Sequence, residues 1–262
     1  MTDFRFVTTA VADFFFPRQC LVCGCILPAD RKHLCGDCAE DIPLTYYWDR
    51  EHNPMADRLN ALIQRDLDAE DFAPGKPVPY SRAAALFFFR PESGYRHICH
   101  QLKYHRNFSV GREYAGMLAQ RLAGSDLFRE VDVVVPVPLH PLRRFRRGYN
   151  QAEIIAEVVS EKLGTKMCPG MLRRRRYTGT QTRLDVEHKV RNVSNAFVFG
   201  KYEKMWGFPG KKAAAANPSH ILIVDDVFTT GATVNACARV LRERFGREVR
   251  ISVATLAAVG DV

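Results

Sequence analysis

With 262 residues, 47% of them hydrophobic, the chain is long enough to bury the core of one α/β domain and to carry a small appended module. Its formal charge of +9 favours polyanionic partners, and charge alone does not separate nucleic acid from highly phosphorylated small molecules. No apolar run approaches the roughly 18 residues of a membrane-spanning helix, and the longest, 83–89, is bounded by Arg82 and Arg90, so no membrane insertion is expected.

Residues 1–17 place Phe4, Val7, Val11, Phe14 and Phe15 at three- and four-residue spacings among Asp3, Arg5 and Asp13. That pattern predicts an amphipathic helix rather than a signal peptide, and a cytoplasmic protein. A cysteine-rich segment follows, then a stretch, 49–79, that mixes charge with Pro54, Pro74, Pro77 and Pro79 and reads as a linker or insertion. Within it Met55, Leu59, Leu62 and Ile63 can line one face of a short helix. From residue 80 the texture changes to alternating signals. Strands are expected at 83–89, 131–135, 195–199, 221–224 and 249–258, and helices at 92–104, 112–122, 151–163 and 232–245. Strands alternating with helices of this length imply βαβ units and a mainly parallel sheet with helices on both faces. The division expected is a cysteine module over 1–48, the insertion over 49–79 and an α/β domain over 80–262. The basic stretch 200–220 reads as a surface excursion.

Four of the eight cysteines form two close pairs, Cys20-x2-Cys23 and Cys35-x2-Cys38, eleven residues apart. Without an export signal, metal binding explains them better than disulfides. Two tight turns of this spacing present four thiolates to one tetrahedral Zn²⁺ at about 2.3 Å per bond, and a site filled by four protein ligands is structural rather than catalytic. Cys25 and His33 fall off the spacing. The alternative is four unmetallated thiols.

The second motif runs from 221 to 233. Four apolar strand residues, Ile221 to Val224, precede Asp225 and Asp226, and then Val227, Phe228, Thr229, Thr230, Gly231, Ala232 and Thr233 open a helix. Unpaired N–H groups and the positive dipole end at a helix start hold a phosphate dianion. Gly231 permits close backbone approach, and the threonine hydroxyls add donors. Carboxylates at the carboxyl end of a parallel strand sit where ligands bind such sheets and accept hydrogen bonds from sugar hydroxyls. The plain alternative is a strand-turn-helix corner whose acids cap the helix. Neither the GxxxxGK[ST] nor the GxGxxG phosphate motif is present.

Residues 221–233 resemble the signature by which type I phosphoribosyltransferases bind 5-phosphoribosyl 1-pyrophosphate (PRPP). Nearly the whole chain is similar to the ComF family of competence proteins (ComFC, GntX-like). The similarity rests on the two CxxC pairs, Leu102-Lys103-Tyr104, Pro136-Val137-Pro138-Leu139-His140-Pro141, Arg147-Gly148-Tyr149-Asn150-Gln151-Ala152, Arg174-x-Arg176-x-Thr178-x-x-Gln181 and Arg191-Asn192, in that order.

The resemblance implies a type I phosphoribosyltransferase-like sheet and transfer at the anomeric carbon of Mg²⁺-PRPP to an acceptor it does not identify. Asp225 and Asp226 would act on the ribose, and Phe228 to Thr233 would grip the 5′-phosphate. Val137, Pro138, Leu139 and Arg147 would lie on the pyrophosphate side, with Arg174, Arg176, Thr178 and Gln181 in a hood over the substrate. Arg143, Arg144 and Arg146 are the cationic donors that a leaving pyrophosphate needs. No His or Glu stands out as a general base. Segments 49–79 and 200–220 are longer than the compact family pattern. The rival reading is a non-enzymatic competence factor that senses PRPP or binds single-stranded DNA, in company with other competence proteins.

Overall fold

The computed structural model describes residues 17–69, 77–175, 196–200 and 217–260. The expected N-terminal helix and nearly all of the 200–220 excursion lie outside the described residues, as do Arg176, Thr178, Gln181, Arg191 and Asn192.

Five strands form one sheet: β1 (Ala83–Phe89), β2 (Val133–Pro136), β3 (Lys166–Met167), β6 (His220–Phe228) and β7 (Arg250–Val259). Their order is β1-β7-β6-β2-β3, and every neighbouring pair is parallel. Ile221, Leu222, Ile223 and Val224 in the central strand are each fully buried. A strand covered on both faces carries continuous apolar side chains, which is why this one reads as an unbroken run.

Alternation along β6 sorts its side chains between two cores. Leu222 and Val224 pack with α3 (Arg96–Tyr104), α4 (Phe108–Gly124) and α6 (Gln151–Leu163). Ile221 and Ile223 pack with α2 (Pro54–Ala69) and α7 (Ala232–Phe245). The chain runs from β2 through α6 to β3 on one side, and from β6 through α7 to β7 on the other. The order therefore reverses between β2 and β6, which opens a crevice beyond their carboxyl ends. Three hydrogen bonds to Asp132 Oδ2, from Ser219 N, Ser219 Oγ and His220 N at 2.7, 2.7 and 2.9 Å, pin the start of β6 beside β2.

Within the segment expected as a linker or insertion, the short helix expected from Met55, Leu59, Leu62 and Ile63 is α2, 16 residues long. Asn53 starts it, accepting from Ala56 N at 3.0 Å and donating to the Ala83 carbonyl of β1 at 3.0 Å. Met55, Ala56, Leu59 and Ile63 then bury one face against the sheet. The cysteine segment shares the main core, since Cys20, Leu27, Leu34, Ile42 and Trp48 belong to the same buried cluster as α4. Tyr95 Oη donates to the Cys38 carbonyl at 2.8 Å, and a Cβ at Gly94 would come within 2.5 Å of the Val22 carbonyl oxygen.

Two further elements depart from the sequence expectation. The arginine run expected as loop is α5 (Pro141–Arg147), with His140 accepting from Leu142 N at its start and left-handed Gly148 at its end. A small antiparallel pair, β4 (Leu172–Arg174) with β5 (Phe197–Phe199), stands apart from the main sheet. No helix among the described residues is long and apolar enough to cross a membrane.

His220 supplies a test of the core. Its ring is buried, Nε2 lies 2.8 Å from Ser252 Oγ, and burial followed by the charges of Arg250 and Arg82 lowers its pKa to about 4. A histidine depressed on folding contributes stability that is present above its unfolded pKa of about 6.5 and lost as pH falls toward 4. Denaturant titrations should show His220→Gln losing less stability than wild type between pH 7 and 4.5, by up to about 3 kcal/mol. Parallel pH profiles for the two proteins would refute this account.

Candidate functional site

The carboxyl ends of β2 and β6 bring together the two segments singled out in the sequence. Val137 N donates to the Val224 carbonyl at 2.8 Å, so the Val137-Pro138-Leu139 turn lies directly beside the approach to Asp225. Asn150 holds that turn from behind. Its Nδ2 donates to the Val137 carbonyl at 3.0 Å while its Oδ1 caps α6 by accepting from Ala152 N at 3.2 Å. Sequence reading missed this role, although an Asn just before an apolar helical stretch is an N-cap signal.

Strand β6 continues to Phe228, so Asp225 and Asp226 are the sixth and seventh residues of a paired strand, Asp225 opposite Thr255 of β7. Consecutive residues of a strand point to opposite faces, and the two carboxylates accordingly have different neighbours. Asp226 is buried on the α3 side, where Lys103 Nζ lies 2.8 Å from its Oδ2 as an ion pair rather than an aligned hydrogen bond. Burial alone would lower the Lys103 pKa, but the Asp226 charge outweighs it and raises the ammonium above its ordinary value.

Asp225 faces α7 and β4. Its Oδ1 accepts from its neighbour's amide, Asp226 N, at 2.9 Å. Burial, followed by the charge of Asp226, raises the Asp225 carboxyl to about 8. The Arg174 guanidinium senses Asp225: burial and Arg143 lower its pKa while Cys237 and Asp225 work against them. Within the pair Asp226 is matched by Lys103, while burial and the charge of Asp226 push the Asp225 carboxyl upward.

After Phe228 the chain turns into α7 through Thr229 and Thr230. Gly231, the N-cap, has φ +81°, and a Cβ there would meet the Phe228 ring at 2.8 Å and Leu62 at 3.1 Å. Only glycine closes this corner without strain. Phe228 is 3% exposed, so its ring belongs to the core and only its backbone is available to a ligand, whereas Thr229 is exposed and Thr230, Ala232 and Thr233 are half-buried. Arg58 of α2 reaches the rim, donating to the Thr229 carbonyl at 3.4 Å. The first-turn amides of α7 have no intrahelical acceptor by construction and complete a cradle for an anion.

The basic side of the crevice is α5. Arg147 donates to Gln151 Oε1 and stacks over the Tyr104 ring at 5.6 Å, while Arg144 is spent on Glu153 through two contacts at 2.7 and 3.1 Å. Phe145, between Arg144 and Arg146, is 89% exposed. Of the residues expected in the hood, Arg174 alone lies among the described residues, its guanidinium over the Phe197 ring at 5.2 Å.

The four cysteines of the paired motifs form a second constellation, their sulfurs all within 4.8 Å of one another. Cys23 and Cys35 Sγ lie 3.7 Å apart, close to the edge of about 3.8 Å that a tetrahedron with 2.3 Å metal–sulfur bonds requires. Cys35 N points at Cys20 Sγ at 3.4 Å. Burial opposes ionisation of Cys20, but backbone donors from Cys23, Cys35 and Val22 bring its thiol down to about 6. A tetrad of this shape can hold one metal ion.

The fold defines a parallel α/β protein with an open crevice at the reversal point of its sheet. No family model matches the chain. The chain is 30% identical over 182 residues to DNA utilization protein YhgH of Salmonella typhimurium, covering 67% of this chain and 72% of that protein. It is 28% identical over 154 residues to competence protein F of Haemophilus influenzae, covering 58% of this chain and 63% of that protein. A solved structure of orotate phosphoribosyltransferase from Aeropyrum pernix is similar at 19% identity over 74% of this chain and 78% of that one, with a TM-score of 0.28, a likeness too loose to carry an argument. On its relatives, the chain belongs to the ComF family of competence proteins.

Metal analysis of the purified chain checks the tetrad. One equivalent of metal is expected, with Cys20→Ser or Cys38→Ser abolishing it and Cys25→Ser leaving it intact. Metal loss from Cys25→Ser would show the ligand set to be different.

Proposed function

We propose that the crevice binds PRPP with Mg²⁺ and transfers its phosphoribosyl group to an acceptor nucleophile, in the cytoplasm and in the service of DNA uptake or utilisation. The observation that carries this reading is the convergence of the Asp225–Asp226 strand end, the Thr229-to-Thr233 corner and the Val137–Leu139 turn at the reversal point of the sheet. The tetrad holds Zn²⁺ as a structural staple, with no coordination position left for chemistry.

In this reading the α7 corner takes the 5′-phosphate, and Asp225 and Asp226 hold the ribose hydroxyls. The acceptor's electron pair forms the new bond to the anomeric carbon as the bond to pyrophosphate breaks. Pyrophosphate leaves with that electron pair, and the acceptor's proton passes to solvent. Positive charge developing on the sugar is stabilised by the two carboxylates, and negative charge on the leaving group by Arg147 and Arg174. Mg²⁺, a hard cation that prefers carboxylate and phosphate oxygens, neutralises charge on the pyrophosphate when bound. Holding the ribose hydroxyls, and stabilising the positive charge that develops on the sugar, requires Asp225 to ionise and Lys103 to yield part of its hold on Asp226.

A second reading, single-stranded DNA binding, is favoured by α5. An exposed Phe145 ring flanked by arginines is a stacking platform beside a phosphate track, the combination that sequence-tolerant single-strand binders use. The two readings are compatible on one molecule and separable by mutation.

Calorimetry should register Mg²⁺-PRPP binding. Asp225→Asn or Asp226→Asn should weaken it by about one to two decades, the range of a hydrogen bond to a charged group. Because the Asp225 carboxyl titrates near 8, wild-type affinity should rise from pH 6 to 8 and level off above, more steeply than in Asp225→Asn. Absence of any PRPP binding would sink the transferase reading.

Single-stranded DNA should bind with affinity that falls steeply with salt, and Phe145→Ala should weaken it by about tenfold while leaving PRPP affinity unchanged. Removing Asp225 or Asp226 cannot weaken DNA electrostatically, so those variants should bind DNA as well as wild type or slightly better. A flat salt response would remove the nucleic-acid reading.

A further inference from the structure

The end of α7 remote from the phosphate corner carries a buried charge that no acid among the described residues neutralises. Arg242 lies in the last turn of the helix and is only 9% exposed. Its Nη2 donates to Ser81 Oγ at 2.8 Å, and its Nε is buried without a hydrogen-bond partner. No salt bridge to Arg242 is found among the described residues, and burial alone pulls the guanidinium down to about 10, with no nearby carboxylate to oppose it. A buried ion without a counter-charge is among the costliest arrangements a folded chain can hold.

Arg242 lines a pocket of about 240 Å³ between α2 and α7, whose apolar walls are Ile63, Leu67 and Val78. The acids at the rim are engaged elsewhere: Asp66 accepts from Asn235 Nδ2 at 2.7 Å, and Glu243 lies 3.7 Å from Arg239 Nε. Arg239 and Arg247 line the pocket as well, so a cationic end centred on the buried Arg242 faces a mostly apolar cavity, and that combination defines the ligand chemically. The ligand needs one negative group to meet the guanidinium and a compact hydrocarbon body to dry the walls. A bare oxyanion would satisfy the first demand and leave the second unmet.

We propose that this pocket binds a small monocarboxylate with an apolar body, its carboxylate on Arg242 and its body against Ile63, Leu67 and Val78. Arg242 lies about 15 Å along α7 from the phosphate corner, and the site does not depend on the crevice reading.

Melting curves and calorimetry on the full-length protein with hexanoate, phenylacetate, hexanol and inorganic phosphate test it. At least one of the two carboxylates should raise the melting temperature saturably, while hexanol and phosphate should not. Arg242→Met, which keeps the stem and removes the charge, should weaken carboxylate binding by about tenfold or more. Leu67→Trp, which fills the cavity and leaves Arg242 in place, should abolish it. The proposal is overturned if neither carboxylate binds wild type, if hexanol or phosphate acts as well as the carboxylates, or if Arg242→Met binds undiminished.

Discussion

A strand buried on both faces cannot end in two acids unless each finds its own counterweight, and that constraint organises the carboxyl edge of the sheet. On the α3 face Asp226 is met by Lys103 at 2.8 Å. On the α7 face no salt bridge to Asp225 is found among the described residues, and burial with the Asp226 charge pushes its carboxyl up to about 8. Two adjacent residues thus solve the same desolvation problem in two ways, one by an ion pair and one by holding its proton.

The same edge depends on supports some distance away. Asp132 ties the entry of β6 to β2, Asn150 braces the Val137 turn, and Gly231 lets the chain fold back between Phe228 and Leu62. The tetracysteine segment contributes from the far side of the α3–α4 layer. Its knuckle backbone bonds to His97 and Tyr95, at the entrance to the helix that presents Lys103. A metal in the tetrad would therefore stiffen the base of the Lys103–Asp226 pair as well as its own loops.

The two ends of helix α7 differ in physical character: its start presents first-turn amides and the positive end of the dipole, and its last turn holds Arg242, buried with no salt bridge among the described residues.

Much of this was legible in the chain because the signals were local. The CxxC spacing, the apolar run before Asp225 and Asp226, and the glycine at the helix start each determine their chemistry within a few residues, and helices 151–163 and 232–245 follow from their own caps and periodicity. What the sequence could not determine was set by residues far apart in the chain. Alternation places Asp225 and Asp226 on opposite faces only once β6 is known to run to Phe228, a length decided by its pairing with β7. The segment 49–79 looked like a linker because its prolines and charges are local, whereas Leu59 and Ile63 gain their helix from burial against β1 and α7. Nothing local marks Arg242, and only the packing of α2 against α7 removes it from water, with Ser81 as hydrogen-bond partner and no salt bridge among the described residues. Burial is a property of the assembled layers, and it alone turned ordinary charges into chemically distinctive ones.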